Sequence, residues 1–273
     1  MGKLIVSANS IENLNSLLKK NIDGVLLYID SLSVNSSFYI NVDEIDKIDF
    51  KGKEVFIVLN KIMHNSDLSY LKSVMHKLKA KDVYILFYDM AVFKIAKELD
   101  MIDKLIIYQD HLNASTNTNN FYFNLGIQGS YITSDITKEE LLEIKAKTKK
   151  KIMFTIYGYA PIFYSRRYLI TNYLKFINEE NEQSKYEIIS DNGAVYPISE
   201  EAYGTTIYSP QVINLINYLD ELESIDYLVM HSNNISDSEF NNMVDKFLKK
   251  EKITNPYIGL FETKTIYKVK GGE

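Results

Sequence analysis

A (β/α)8 barrel is the fold class that the sequence predicts, and three observations predict it. Short apolar, β-branched runs recur eight times, and most are followed by apolar residues at helical spacing. The chain has 273 residues, close to the ~250 that eight such units need. A doubly wound open sheet gives a similar alternation and is the runner-up. A β-hairpin insertion interrupts the rhythm between strands seven and eight. With no repeat of fixed period and no low-complexity linker, residues 1–273 are read as a single domain.

The elements follow in order. Leu4 to Val6 is the first strand, and Ile11, Leu14, Leu17 and Leu18 share one face of the helix after it. Gly24 to Ile29 is the second strand. An irregular stretch from Ser31 to Phe50 follows, with a helical piece around Val42 to Ile48. Val55 to Leu59 is the third strand. Leu68, Leu71, Val74, Met75 and Leu78 trace an amphipathic helix whose N-cap is expected at Asp67, beside Ser66. Val83 to Phe87 and Leu105 to Tyr108 are strands four and five, with a helix from Met90 to Leu99 between them. After the polar stretch Gln109 to Asn120, a short aromatic helix runs to Leu125 and stops at Gly126. Ser130 to Thr133 is strand six. Thr137 and Glu140 then form a capping box ahead of Leu141, Leu142 and Ile144.

Ile152 to Ile156 is strand seven, followed by a Gly- and Pro-containing loop, two arginines and a helix from Arg167 to Phe176. Tyr186 to Ile189 and Ala194 to Ile198 flank Asn192-Gly193, the turn dipeptide of a hairpin. Thr205 to Tyr208 is extended. A helix is expected over Gln211 to Leu222, then strand eight at Tyr227 to Met230 and a last helix carrying Phe240, Val244, Phe247 and Leu248. The tail Gly259 to Val269 alternates like a strand.

Composition narrows the chemistry. There is no cysteine, which excludes disulfides, thiolate nucleophiles and cysteine-ligated clusters or zinc within this chain. The net charge is −5, so no global positive field draws the chain to nucleic acid or anionic lipid. No apolar run approaches the ~18 residues of a membrane span. The start of the chain lacks the apolar segment of a signal peptide, and a cytoplasmic location is expected. Glycines nowhere cluster as a dinucleotide or P-loop motif, and Ser165 is not in a nucleophile elbow.

In a barrel of this type, function lies where strands end. That gathers Tyr28–Asp30, Asn60–His64, Tyr88-Asp89, Tyr108–His111, Thr133–Asp135, Tyr157–Arg167 and Met230–Asn233 on one face. Arg166 and Arg167 stand where a loop enters a helix, and guanidinium forks at a helix start suit a phosphate or carboxylate. Adjacent helical residues point ~100° apart, so one arginine faces such a site better than the other. The other reading pairs an arginine with an acid such as Glu179 or Asp191. Asp135 is either a working carboxylate or a local helix cap. His64, His111 and His231 lie at strand ends, but no ligand spacing supports a metal.

Three segments carry a resemblance to peptidase family U32. Tyr157 to Thr171, YGYAPIFYSRRYLIT, is similar to that family's signature block. Asn117 to Thr137, NTNNFYFNLGIQGSYITSDIT, and Gly259 to Gly271, GLFETKTIYKVKG, resemble two further blocks, in the same order. Together they cover about the C-terminal two thirds of the chain. Longer members place cysteines in the signature block and some carry an iron–sulfur cluster; here Pro161 and Tyr168 stand at those positions. Asp135 stands where the family usually has Glu. The chain therefore looks like a short, cysteine-free member.

The resemblance implies a component of tRNA or rRNA base hydroxylation, of the 5-hydroxyuridine type, with a prephenate-like substrate and no cofactor held by this chain. The alternatives it carries are a collagenase-like peptidase, that is a hydrolase, and a non-catalytic binding subunit. The implied partners are tRNA or rRNA and a cysteine-bearing homologue, with no membrane. The expected catalytic groups are Asp135, Tyr164 and His111. Arg166, Arg167, Tyr157 and Asn117 are the expected anion- and substrate-binding set, and no metal is expected.

Overall fold

The computed structural model describes residues 2–109, 113–180, 186–191 and 193–263. In chain order its strands are β1 (Lys3–Val6), β2 (Gly24–Tyr28), β3 (Glu54–Leu59), β4 (Tyr84–Phe87), β5 (Leu105–Tyr108), β6 (Gly129–Ile132), β7 (Lys151–Gly158), β8 (Pro161–Ser165), β9 (Tyr186–Ile189), β10 (Val195–Glu201), β11 (Gly204–Tyr208), β12 (Ile213–Asn214) and β13 (Tyr227–Met230). The helices are α1 (Ile11–Leu17), α2 (Leu68–Lys79), α3 (Met90–Glu98), α4 (Thr116–Asn124), α5 (Lys138–Ala146), α6 (Leu169–Ile177) and α7 (Asp237–Lys249).

Strands β1 to β7 run parallel, each beside the next, and β13 pairs with both β7 and β1. That last pairing closes the cylinder. The (β/α)8 barrel is thereby distinguished from the open sheet, whose edge strands would stay unpaired. Strand residues alternate between two apolar environments, because successive side chains point to opposite faces. Ile5, Phe56, Val58, Leu86, Ile106, Met153 and Val229 fill the interior, with Tyr28, Tyr108, Tyr131 and Tyr227 at its ends. Leu4, Val6, Val25, Ile57, Phe154 and their counterparts face outward, under the helices.

The interruption between strands seven and eight is larger than a hairpin. β8, β11, β10 and β9 form a four-stranded antiparallel sheet in that order. The expected hairpin of β9 and β10 is there, with Asn192 of its turn outside the described residues, but the segment expected to be a loop, Pro161 to Ser165, is the sheet's far strand. Its partner β11 is distant in sequence, which local patterning does not register. One face of this sheet is covered by α6 through Ile170 and Leu174, which pack on Ile198.

The helix expected over Gln211 to Leu222 does not form. Ile213 and Asn214 pair antiparallel with the end of β7, and only a 3-10 turn at Ile216–Tyr218 follows. The Asn214 side chain accepts the Ile216 amide at 3.1 Å, the local competition by which Asn disfavours helix interiors. The apolar periodicity is satisfied all the same, with Ile213, Leu215, Ile216, Leu219 and Leu222 buried. Of the tail, residues 264 onward lie outside the described residues; Gly259 to Glu262 are turn. Among the described residues, no helix is long and apolar enough to cross a membrane.

Candidate functional site

The inserted sheet lies over the mouth of the barrel at the C-terminal ends of its strands. Alternation sends Tyr164, Ser199, Glu201, Thr206 and Tyr208 to the face away from α6, and these residues meet the barrel loops. Tyr39 donates to the Glu201 carboxylate at 2.6 Å, and Thr206 bonds Asn35. Asn233 donates to the Tyr208 hydroxyl at 3.0 Å. At the tip of the β10–β11 turn, Tyr203 reaches Ser31 at 2.9 Å. The sheet is a lid fastened on several sides. Burial pushes the hydroxyls of Tyr164 and Tyr208 up to about 12. It also raises the Glu201 carboxyl, against the opposing bond from Tyr39.

Beneath the lid sits His231, which directly follows β13. Its Nε2 is 2.7 Å from the Tyr131 hydroxyl and its Nδ1 is 3.4 Å from the Tyr28 hydroxyl. Tyr131 continues to Thr155 Oγ1 at 2.7 Å, and the Tyr108 ring stands edge-on to Tyr131 with centroids 4.6 Å apart. An imidazole between two phenols can pass a proton from one to the other. Gly158 makes room for it: at φ 130°, a Cβ there would lie 2.7 Å from the His231 carbonyl. The cleft above, lined by Tyr28, Tyr108, Tyr159, Tyr208, His231 and Asn233, encloses about 10 Å³, room for one water.

A second cluster stands on the rim after β3. Lys61 is only 1% exposed, 3.1 Å from the Asp67 carboxylate, and lies 4.2 Å from the centroid of the Tyr203 ring. Asp67 also accepts from Arg166 at 3.1 Å and from the His64 amide at 2.8 Å. Burial acts to raise the Asp67 carboxyl, but the His64 amide, Lys61 and Arg166 outweigh it and hold the group below the usual carboxylate range. Asp67 is therefore the counter-ion of two cations and not a side-chain cap for α2. Arg166 further donates to the Ile62 carbonyl at 2.8 Å.

The start of α6 also carries its own anion. The amides of Ile170 and Thr171 donate to Glu200 at 2.9 and 3.2 Å, and the Thr171 hydroxyl joins them. The positive end of this helix and the Arg166 guanidinium, both held out by the sequence for an external anion, each face a carboxylate of the chain itself.

The residues singled out from sequence are scattered. Arg166 and Tyr164 meet at the lid, where Tyr164 donates to the Tyr203 carbonyl at 3.0 Å. Arg167 is exposed, and its amide donates to Ser165 Oγ at 3.2 Å. Tyr157 is buried outside the barrel wall, with ring centroids 6.0 Å from both Phe240 and Phe247, so it lines no part of the mouth. Asn117 is exposed in a separate groove shared with Glu140, Ile144 and Lys147. Asp135 is exposed on the flank, where its charge is felt by Tyr257. His111 lies outside the described residues. Sequence reasoning gave no individual role to Lys61, Glu201, Tyr28 or Tyr131. Their strand-end positions were the available signal, but the partners that give them meaning come from other strands.

The positions where longer U32 members have cysteines hold groups that cannot ligate iron as a thiolate does. Pro161 opens β8, and the Tyr168 hydroxyl is used on the Ala202 carbonyl at 2.6 Å. Among the described residues, no three His, Asp or Glu side chains are grouped for a metal. The residues present do not fit a cysteine-ligated cluster.

The sequence profile of Peptidase family U32 matches residues 9–248. A relative, tRNA hydroxylation protein P2 of Bacillus subtilis (strain 168), is 26% identical over 180 residues, 63% of this chain. The match spans 58% of that relative's length. Among solved structures, orotidine 5'-phosphate decarboxylase from Thermotoga maritima aligns over 89% of this chain and 97% of its own. The TM-score is 0.43, at 7% identity.

Proposed function

The chain belongs to peptidase family U32, and we propose that it serves the hydroxylation of a tRNA base, of the 5-hydroxyuridine type, with the barrel mouth as its working site. The observation that carries the site assignment is His231, held between Tyr131 and Tyr28 at the ends of three different strands. Its role is to give or take a proton at a substrate atom admitted when the lid lifts. Tyr131 and Thr155 orient the ring and carry the proton onward. Tyr164 and Arg166 belong to the lid, and Arg166 helps to hold it down through Asp67. The name of the tRNA hydroxylation relative supports the substrate class. With no cysteine in the chain, any thiolate-ligated cluster that the pathway needs belongs to another protein, a cysteine-bearing homologue.

The test is deletion of the gene followed by mass spectrometry of tRNA nucleosides. Loss of the 5-hydroxylated base, restored by the wild-type gene and not by His231→Ala, is the expected result. Unchanged nucleosides on deletion would overturn the proposal. A second reading, a non-catalytic binding subunit, is favoured by the cleft, which holds about one water as it stands. That reading expects His231→Ala to restore modification in full. For the family's peptidase label, the serine beside His231 offers no nucleophile aimed at the ring: Ser232 is bonded to Ser7 at 2.9 Å, and the ring bonds the phenols of Tyr131 and Tyr28.

A further inference from the structure

The outer side of the lid has the makings of an interface. α6 buries Ile170 and Leu174 against the sheet and turns a second apolar face outward: Tyr173 is 62% exposed, Phe176 83% and Ile177 36%. Strand register places Phe163 and Ile188 on the sheet face that α6 covers, with Phe163 opposite Ile207 and Ile188 two residues from Tyr186. They too are open to solvent, at 41% and 40%. Scattered exposed apolar residues need no explanation, but a contiguous group on one helix and its sheet marks a contact surface.

The charges around it say what covers it. Asn178 ends α6 in the left-handed conformation, and Glu179 and Glu180 follow, both exposed. Carboxylates at the negative end of a helix dipole oppose the helix. Neither glutamate has an ion-pair partner among the described residues. Asp191, exposed past the end of β9, adds to the acidic side, and α6 itself carries Lys175. A second copy related by a two-fold axis would bring the same acidic rims together, and Glu179 and Glu180 would repel an RNA backbone at this end of the helix.

We propose that the outer face of α6 docks a different protein, one presenting an apolar recess ringed by Lys and Arg. Phe176 and Tyr173 enter the recess, while Glu179 and Glu180 meet the cations. Aromatic anchors with a polar rim are the usual anatomy of such contacts.

The experiment places the photo-crosslinker benzoylphenylalanine at Tyr173 in the full chain, expressed in its native host, and identifies the adduct by mass spectrometry. The adduct protein is then purified and its affinity for the chain is measured. One adduct protein is expected. Phe176→Asp weakens its binding by about tenfold or more. Glu179→Lys with Glu180→Lys weakens it as well and flattens its salt dependence. All three positions are exposed, so circular dichroism should show intact folding in each variant. An adduct with a second copy or with RNA, no adduct, or unchanged affinity on charge reversal would overturn the proposal.

Discussion

The two ends of the barrel interior are built from the same residue types to opposite effect. At the N-terminal end, Lys151 donates to the hydroxyls of Tyr84 and Tyr227, each at 2.7 Å. The Tyr227 hydroxyl points on to Glu54, and Phe56 packs against both rings with centroids 5.2 and 5.0 Å away. Burial, helped by Glu54, drives the Tyr227 hydroxyl well above its ordinary range. At the C-terminal end, tyrosines again surround a nitrogen base, but the base is His231 and a cleft lies above it. A lysine clamped by two phenols closes the floor. An imidazole between two phenols, beneath the inserted sheet, can exchange a proton. The contrast follows the division of labour in these barrels, stability below and chemistry above.

The fastening of the lid is where that contrast breaks most readily. Asp67→Asn leaves Lys61 buried without its counter-ion, and an uncompensated buried charge costs about 3 kcal/mol or more. Urea unfolding should show that loss, and protease digestion should show the lid sheet cut first. Lys151→Met tests the floor. It keeps the apolar stem and takes the shared donor from the Tyr84 and Tyr227 hydroxyls, for about 1–2 kcal/mol. In the nucleoside test of the proposed function, the folded variant should restore the modified base as well as the wild-type gene does; a loss of restoration without loss of stability would show that the floor is not merely structural. Tyr131→Phe removes one hydrogen bond from His231 at about 1 kcal/mol, yet the yield of 5-hydroxylated nucleoside should fall by about 10²-fold, the scale of general acid–base catalysis.

The smallest effect is expected at Glu201. Its carboxyl is raised in the folded protein, chiefly by burial, so the folded state holds that proton more tightly than the unfolded chain. The stabilisation is therefore complete below the ordinary glutamate value of ~4.3 and is lost as pH rises through the raised value. Glu201→Gln should be slightly more stable than wild type at about pH 7.5 and lose the advantage near pH 4. Chemical unfolding at the two pH values checks the sign, and an unchanged difference would show that Tyr39 fully offsets the burial.

Much of the barrel is legible in the sequence because each strand announces itself locally. Val55 to Leu59 and Tyr227 to Met230 need only their own β-branched and aromatic residues to be recognised, and Thr137 with Glu140 caps α5 as expected. Pro161 to Ser165 is different. Its Ile162, Phe163 and Tyr164 favour extended backbone, but between Gly158, Pro161 and the two arginines they read as a loop until Gly204 to Tyr208 lies beside them. Ile213 to Leu222 shows the converse: a helical spacing that buries the right side chains while the backbone follows β7 and Asn214.

The candidate site was less legible for the same reason. Arg166 stood out as a cation at a helix start, but Asp67 is 99 residues away in sequence and Glu200 is 30 from the first amide of α6 that it caps. Likewise His231 meets Tyr131 across 100 residues and Tyr28 across 203. By itself the sequence determined the alternation of strand and helix, the insertion before the last strand and the absence of any thiolate. These follow from period, composition and local turn chemistry. Only the tertiary structure decided that the carboxylates facing Arg166 and the start of α6 are the chain's own, and that the His231 imidazole lies at the mouth between two phenols. Charge pairing and proton exchange act over about 3 Å of space, and barrel closure brings together strands that the sequence keeps far apart.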